Sequence, residues 1–69
     1  MTEIVFLVEA DPEGGYTAQA VGESIVTQGE TPEHLREMVR DAVRCHFPTA
    51  ESRPKLIRLH FVHDEVIAA

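Results

Sequence analysis

The segment Thr31-Pro32-Glu33-His34-Leu35-Arg36-Glu37-Met38-Val39-Arg40-Asp41-Ala42-Val43-Arg44-Cys45-His46-Phe47-Pro48 decides the fold. Leu35, Met38, Val39, Ala42, Val43 and the pair His46 and Phe47 recur at steps of three and four residues, which puts them on one stripe of an α-helix. Arg36, Glu37, Arg40, Asp41 and Arg44 take the other side. Both ends are marked. The Thr31 hydroxyl can cap the first orphan N–H groups, Pro32 stands at the first helical position where its missing donor costs nothing, and Glu33 meets the positive end of the helix dipole. Pro48 cannot continue the helix and stops it. A single helix with one apolar stripe needs an apolar surface to cover, so the rest of the chain is expected to supply a sheet.

Toward the start of the chain, Ile4-Val5-Phe6-Leu7-Val8 is a short run rich in β-branched residues, bounded by the turn formers from Asp11 to Gly15, and reads as a first strand. Ile4, Phe6 and Val8 form one of its faces and Val5 and Leu7 the other. With both faces apolar, cover is expected on both sides, from the helix and from a further body such as a second copy. Pro12 presets φ and Gly14-Gly15 can take positive φ, which suits a hairpin into Tyr16-Thr17-Ala18-Gln19-Ala20. Gly22-Glu23 makes another tight turn, Ile25-Val26-Thr27 a third short strand, and Gly29 ends it. Beyond the helix, residues 48–54 are a polar connection. Leu56 to Val62 then alternates, with Ile57, Leu59 and Phe61 on one face and Leu56, Arg58, His60 and Val62 on the other, as a fourth strand does. The expected class is α+β in the order βββαβ. It comprises a three-stranded antiparallel meander plus a fourth strand, with one helix packed on one face, as a single domain over residues 1–69.

Sixty-nine residues hide only about 60 % of the surface that the unfolded chain exposes, so help from oligomerisation is expected. Cys45 is the only cysteine and has no partner within the chain. That fits a reducing, cytoplasmic setting. The chain has no apolar run of about 18 residues for a membrane span, and Met1-Thr2-Glu3-Ile4 lacks the basic start of a secretory signal. The net charge of −6 is unevenly spread. From Met1 to Leu35 there are seven acids (Glu3, Glu9, Asp11, Glu13, Glu23, Glu30, Glu33) and no Lys or Arg, whereas all six basic residues follow. Direct nucleic-acid binding, which needs clustered surplus cations, is disfavoured, and a basic protein suits the first half better.

No catalytic constellation emerges. His60 and His63 are an odd number of residues apart, so on a strand they point to opposite faces and cannot jointly chelate a metal. Cys45 and His46 are neighbours on a helix, about 100° apart, which does not activate a thiol. Gly14-Gly15 precedes a strand, whereas a phosphate loop opens a helix. No cofactor fingerprint is present, and no enzyme activity is expected.

Asp11-Pro12-Glu13-Gly14-Gly15-Tyr16-Thr17, followed by Thr27-Gln28-Gly29-Glu30-Thr31-Pro32-Glu33 and the amphipathic helix, resembles the amino-terminal domain of HicB-family antitoxins. The pattern of that family is a D-x-x-G-G-Y-T hairpin, a T-x-G-x-T-x-x-E turn and a helix spaced with alanines and leucines. The similarity runs over residues 4–47, and the fourth strand completes the same partial ribonuclease-H-like order. The resemblance implies a protein that covers a small basic toxin that cleaves messenger RNA, and that oligomerises. Two departures stand out. The 22 residues after Phe47 are mostly used by strand four, so the carboxy-terminal DNA-binding segment of many members is not expected. Val21-Gly22-Glu23-Ser24 replaces the proline-aspartate-leucine-proline-glycine stretch usual between strands two and three. The alternative is therefore a stand-alone oligomeric module, structural or regulatory, without a toxin.

The partner-binding candidates are Glu13 and Tyr16 at the hairpin, with Glu9 and Glu23 as charge partners for Arg or Lys. The competing account makes Tyr16 a core-edge aromatic and the acids merely solvated. For self-association the candidates are Val5, Leu7, Leu56 and Val62, the second apolar faces of strands one and four.

Overall fold

The computed structural model describes residues 2–69. In chain order it contains β1 (Glu3–Ala10), β2 (Tyr16–Ala20), β3 (Val26–Gly29), α1 (Pro32–His46) and β4 (Leu56–Val62). The strands form one mixed sheet in the order β3-β2-β1-β4. β1 pairs antiparallel with β2, and β2 antiparallel with β3. β4 runs parallel to β1, which the intervening helix makes possible. The α+β class and the βββαβ order are as expected.

α1 covers one face of the sheet. Beneath it Ile4, Phe6 and Val8 from β1 and Ala18 and Ala20 from β2 meet Leu35, Val39 and Val43, and all are buried. Burying these side chains supplies most of the driving force, at about 25 cal/mol per Å² of apolar surface removed from water. The helix start follows its sequence signals: the backbone N–H of His34 donates to Thr31 Oγ1 at 3.0 Å, and that of Leu35 to the Thr31 carbonyl at 2.8 Å. At the far end the Phe47 N–H still reaches the Val43 carbonyl before Pro48 turns the chain away.

The third strand differs from expectation, running over Val26–Gly29 instead of Ile25 to Thr27. Ile25 belongs to the preceding turn. Its carbonyl accepts from the Ala20 N–H at 2.9 Å across a loop that Gly22 opens with φ of 85°, and its side chain drops into the core. Val26 then faces the uncovered side of the sheet, 65 % exposed.

Two glycines hold the end of the sheet near the hairpin together. Gly15, at φ of 82°, lies opposite Gly29, where an added Cβ would sit 3.0 Å from the Gly29 carbonyl oxygen. A Cβ on Gly29 would stand only 2.6 Å from Leu35 N and Cα. Gly29 therefore lets the first turns of α1 rest directly on β3. α1 packs closest to β3 and β2, so the β4 side of the covered face is left partly open.

Candidate partner-binding surfaces

The β1–β2 hairpin is closed by backbone bonds from Asp11 N–H to the Gly15 carbonyl at 2.9 Å and from Gly14 N–H to the Asp11 carbonyl at 3.0 Å. Asp11 Oδ1 also accepts from the Glu13 N–H at 2.8 Å, an Asx turn that aims the Glu13 side chain outward. Glu9, Asp11 and Glu13 are all exposed, and none lies within ion-pair distance of a base among the described residues. Beside them Gly15, Tyr16, Gly29, Glu30, His34 and Met38 line a shallow hollow of about 370 Å³. The two segments singled out in the sequence, 11–17 and 27–33, thus converge at one end of the molecule. The helix start there is tied further by the Glu30 N–H, which donates to His34 Nδ1 at 3.1 Å.

The four residues chosen as partner contacts do not form one patch. Glu9 sits on the uncovered face, in register with Val62. Tyr16 shares the helix face with Ala18, is half-buried, and packs edge-on against Phe61 with ring centroids 6.3 Å apart. Glu13 is at the hairpin tip. Glu23 lies at the opposite end of the sheet, where the Val21 N–H donates to the Val5 carbonyl, about 20 Å away at the rise of an extended strand. Its Oε2 stands 3.4 Å from His46 Nε2, an ion pair when the imidazole is protonated.

Val5, Leu7, Leu56 and Val62 do share a surface. The parallel register pairs Glu3 with Leu56, Val5 with Arg58, Leu7 with His60 and Glu9 with Val62, all on the face that α1 leaves bare. Leu7 is 41 % and Leu56 62 % exposed. Arg58 spans this face, donating from Nε to Glu3 Oε1 at 2.7 Å and from Nη2 to Oε2 at 3.3 Å. This two-pronged bond holds the Glu3 carboxyl below the usual carboxylate range and raises Arg58 further above its own. His60 lies on the same bare face, whereas His63 follows the end of β4.

A third surface was missed. Between α1 and the first half of β4 lies a groove of about 340 Å³. Val39, Val43, Ile57 and Leu59 make its apolar floor, and Arg36, Arg40, Arg44, Arg53 and Lys55 its rim. Those five are all but Arg58 of the chain's six basic residues. The spacing of Arg36, Arg40 and Arg44 by four was the available signal, because such residues stack along one helix side. Arg53 joins them because its Nε donates to the Phe47 carbonyl at 3.2 Å, folding residues 48–54 back against the helix end.

Among the described residues no group of three or more His, Cys, Asp or Glu gathers as a metal site would require, and no helix is long and apolar enough to cross a membrane. No family model matches the chain, and no solved structure matches it. Two relatives do. A UPF0150 protein of Thermotoga maritima is 47 % identical over 66 residues, spanning 96 % of this chain and 91 % of the relative. A UPF0150 protein of Archaeoglobus fulgidus is 57 % identical over 53 residues, 77 % of each chain. At that identity and coverage, the chain belongs to the UPF0150 protein family.

Proposed function

We propose that this protein is a HicB-like, antitoxin-type binding protein of the cytoplasm that occludes a small basic messenger-RNA-cleaving toxin and has no catalysis of its own. The observation that carries the reading is the hairpin end, where Asp11 and Glu13 project beside the convergence of the two HicB-like segments with no base in ion-pair distance among the described residues, and Glu9 stands just behind them on the bare face. The physical rationale is competition. A protein that cleaves RNA must present cations to the phosphate backbone, and a rigid acidic surface docked on those cations excludes the substrate. Tyr16, half-buried on the helix face where it follows the hairpin tip, adds an aromatic edge next to Glu13, the residue type that anchors many interfaces.

A second reading is a stand-alone oligomeric module. It is favoured by the bare sheet face, where Val5, Leu7, Leu56 and Val62 lie together. Both readings are separated by affinity capture of the protein from its native cell extract at low and high salt, with mass-spectrometric identification. The antitoxin reading expects a small basic protein at low salt, lost at high salt and lost at low salt when Glu9 and Glu13 are both changed to Gln. Recovery of the protein alone would overturn it and leave the oligomeric module.

A further inference from the structure

The groove between α1 and β4 plays no part in the hairpin surface. It lies along another side of α1 and opens toward the far end of the sheet, since Leu56 at its mouth pairs with Glu3 whereas the hairpin follows Ala10. Its occupant must offer acids to an arginine rim and apolar side chains to a floor of Ile57 and Leu59, both only half-buried. It must also be narrow. β4 is the edge strand of the sheet, so its outer backbone groups are available to an extended segment.

The chain carries a segment of this description. Residues 63–69, His63-Asp64-Glu65-Val66-Ile67-Ala68-Ala69, follow β4 without secondary structure and are exposed throughout. Val66 at 94 % and Ile67 at 80 % are the most exposed large apolar side chains among the described residues. Two acids directly precede them. The match of charge and apolarity to the groove is therefore written into the same molecule.

We propose that segment 63–69 of a second copy docks in the groove, with Asp64 and Glu65 against Arg40 and Arg44 and with Val66 and Ile67 over Ile57 and Leu59. The segment of the same copy fits less well. If it reversed through a two-residue turn at His63-Asp64, Val66 would lie opposite Phe61 and Ile67 opposite His60, so that even Ile67 stops about 10 Å short of Ile57 at the strand rise. Its acids would be spent in the turn. A second copy has no such restriction, and reciprocal insertion closes a two-fold dimer in which each groove is filled.

The test is sedimentation velocity on the full chain across a concentration series, with circular dichroism to verify each variant's fold. It is best made in a Leu7→Glu background, which removes association through the bare sheet face. Changing Asp64 and Glu65 together to Lys is expected to weaken self-association about tenfold or more, and changing Arg40 and Arg44 together to Glu to do the same. Combining the four changes restores the pairing with reversed sign and recovers association. Should Leu7→Glu fail to fold, the same series in the native sequence reads the same difference. Unchanged association in the Asp64/Glu65 variant overturns the proposal. So does a monomer whose own segment 63–69 is protected from hydrogen exchange, which would place the segment in its own groove. Loss of binding to an RNA oligonucleotide in the Arg40/Arg44 variant, with assembly unmoved, would also overturn it and assign the groove to a polyanion.

Discussion

Replacing Gly29 with Ala tests how α1 is seated on the sheet. Gly29 does not occupy the left-handed region, so alanine meets no backbone strain there and the cost is steric alone. The new Cβ would lie 2.6 Å from Leu35 N and Cα, whereas ordinary contact begins at 3.4 Å, so helix and strand must part by 0.8 Å (3.4 − 2.6). Backbone atoms cannot swing aside as a side-chain tip can. The first turn of α1 is held by the Thr31 cap and by Leu35, which is fully buried, so the displacement spreads into the core. Overpacking of this kind costs about 1–3 kcal/mol, offset by about 0.4–1 kcal/mol from the stiffer unfolded chain, leaving about 1 kcal/mol at the middle of those ranges. For a domain of this size that lowers the melting temperature by roughly 4–8 °C. Urea unfolding followed by circular dichroism should show an earlier midpoint with an unchanged slope. A midpoint equal to or later than that of the native protein would refute the close seating of Leu35 on Gly29.

Thr31→Ala removes the helix cap, leaves the His34 N–H without its protein acceptor, and is expected to cost about 1 kcal/mol by the same unfolding assay. Leu7→Glu is expected to dissociate any assembly formed through the bare sheet face while circular dichroism stays native; an unfolded chain would show that face to be core. The Glu3–Arg58 pair makes a pH prediction. Because the folded carboxyl is held below its ordinary value, its contribution is present above the unfolded carboxylate pKa and fades as pH falls through the folded one. Glu3→Gln should therefore melt slightly earlier than the native protein near neutrality, and the two should converge in acid; a difference independent of pH would contradict the pair.

Much of the fold was legible because its signals are local. The cap at Thr31, Pro32 and the stop at Pro48 bracket α1, and strict alternation delimits β4 at Leu56–Val62. The hairpin followed from Pro12 and the paired glycines. Ile25 reads as a strand residue in the sequence because a β-branched residue closing a turn onto the core carries the same apolar mark. Charge alone groups Glu23 with the hairpin acids, yet strand geometry carries it to the far end of the sheet. The basic groove was the least legible feature. Arg36, Arg40 and Arg44 announce a helix side, but Arg53 and Lys55 join it only through the path of the connection, and an overall charge of −6 conceals the local surplus.

The most direct test of the proposed function is RNA cleavage by the small basic protein recovered with this chain, measured after separating the two and titrating the chain back. The account predicts that cleavage falls to zero as the chain reaches stoichiometric amount, and that the chain with Glu9 and Glu13 both changed to Gln inhibits poorly. Cleavage that continues unchanged with the chain in excess would contradict it.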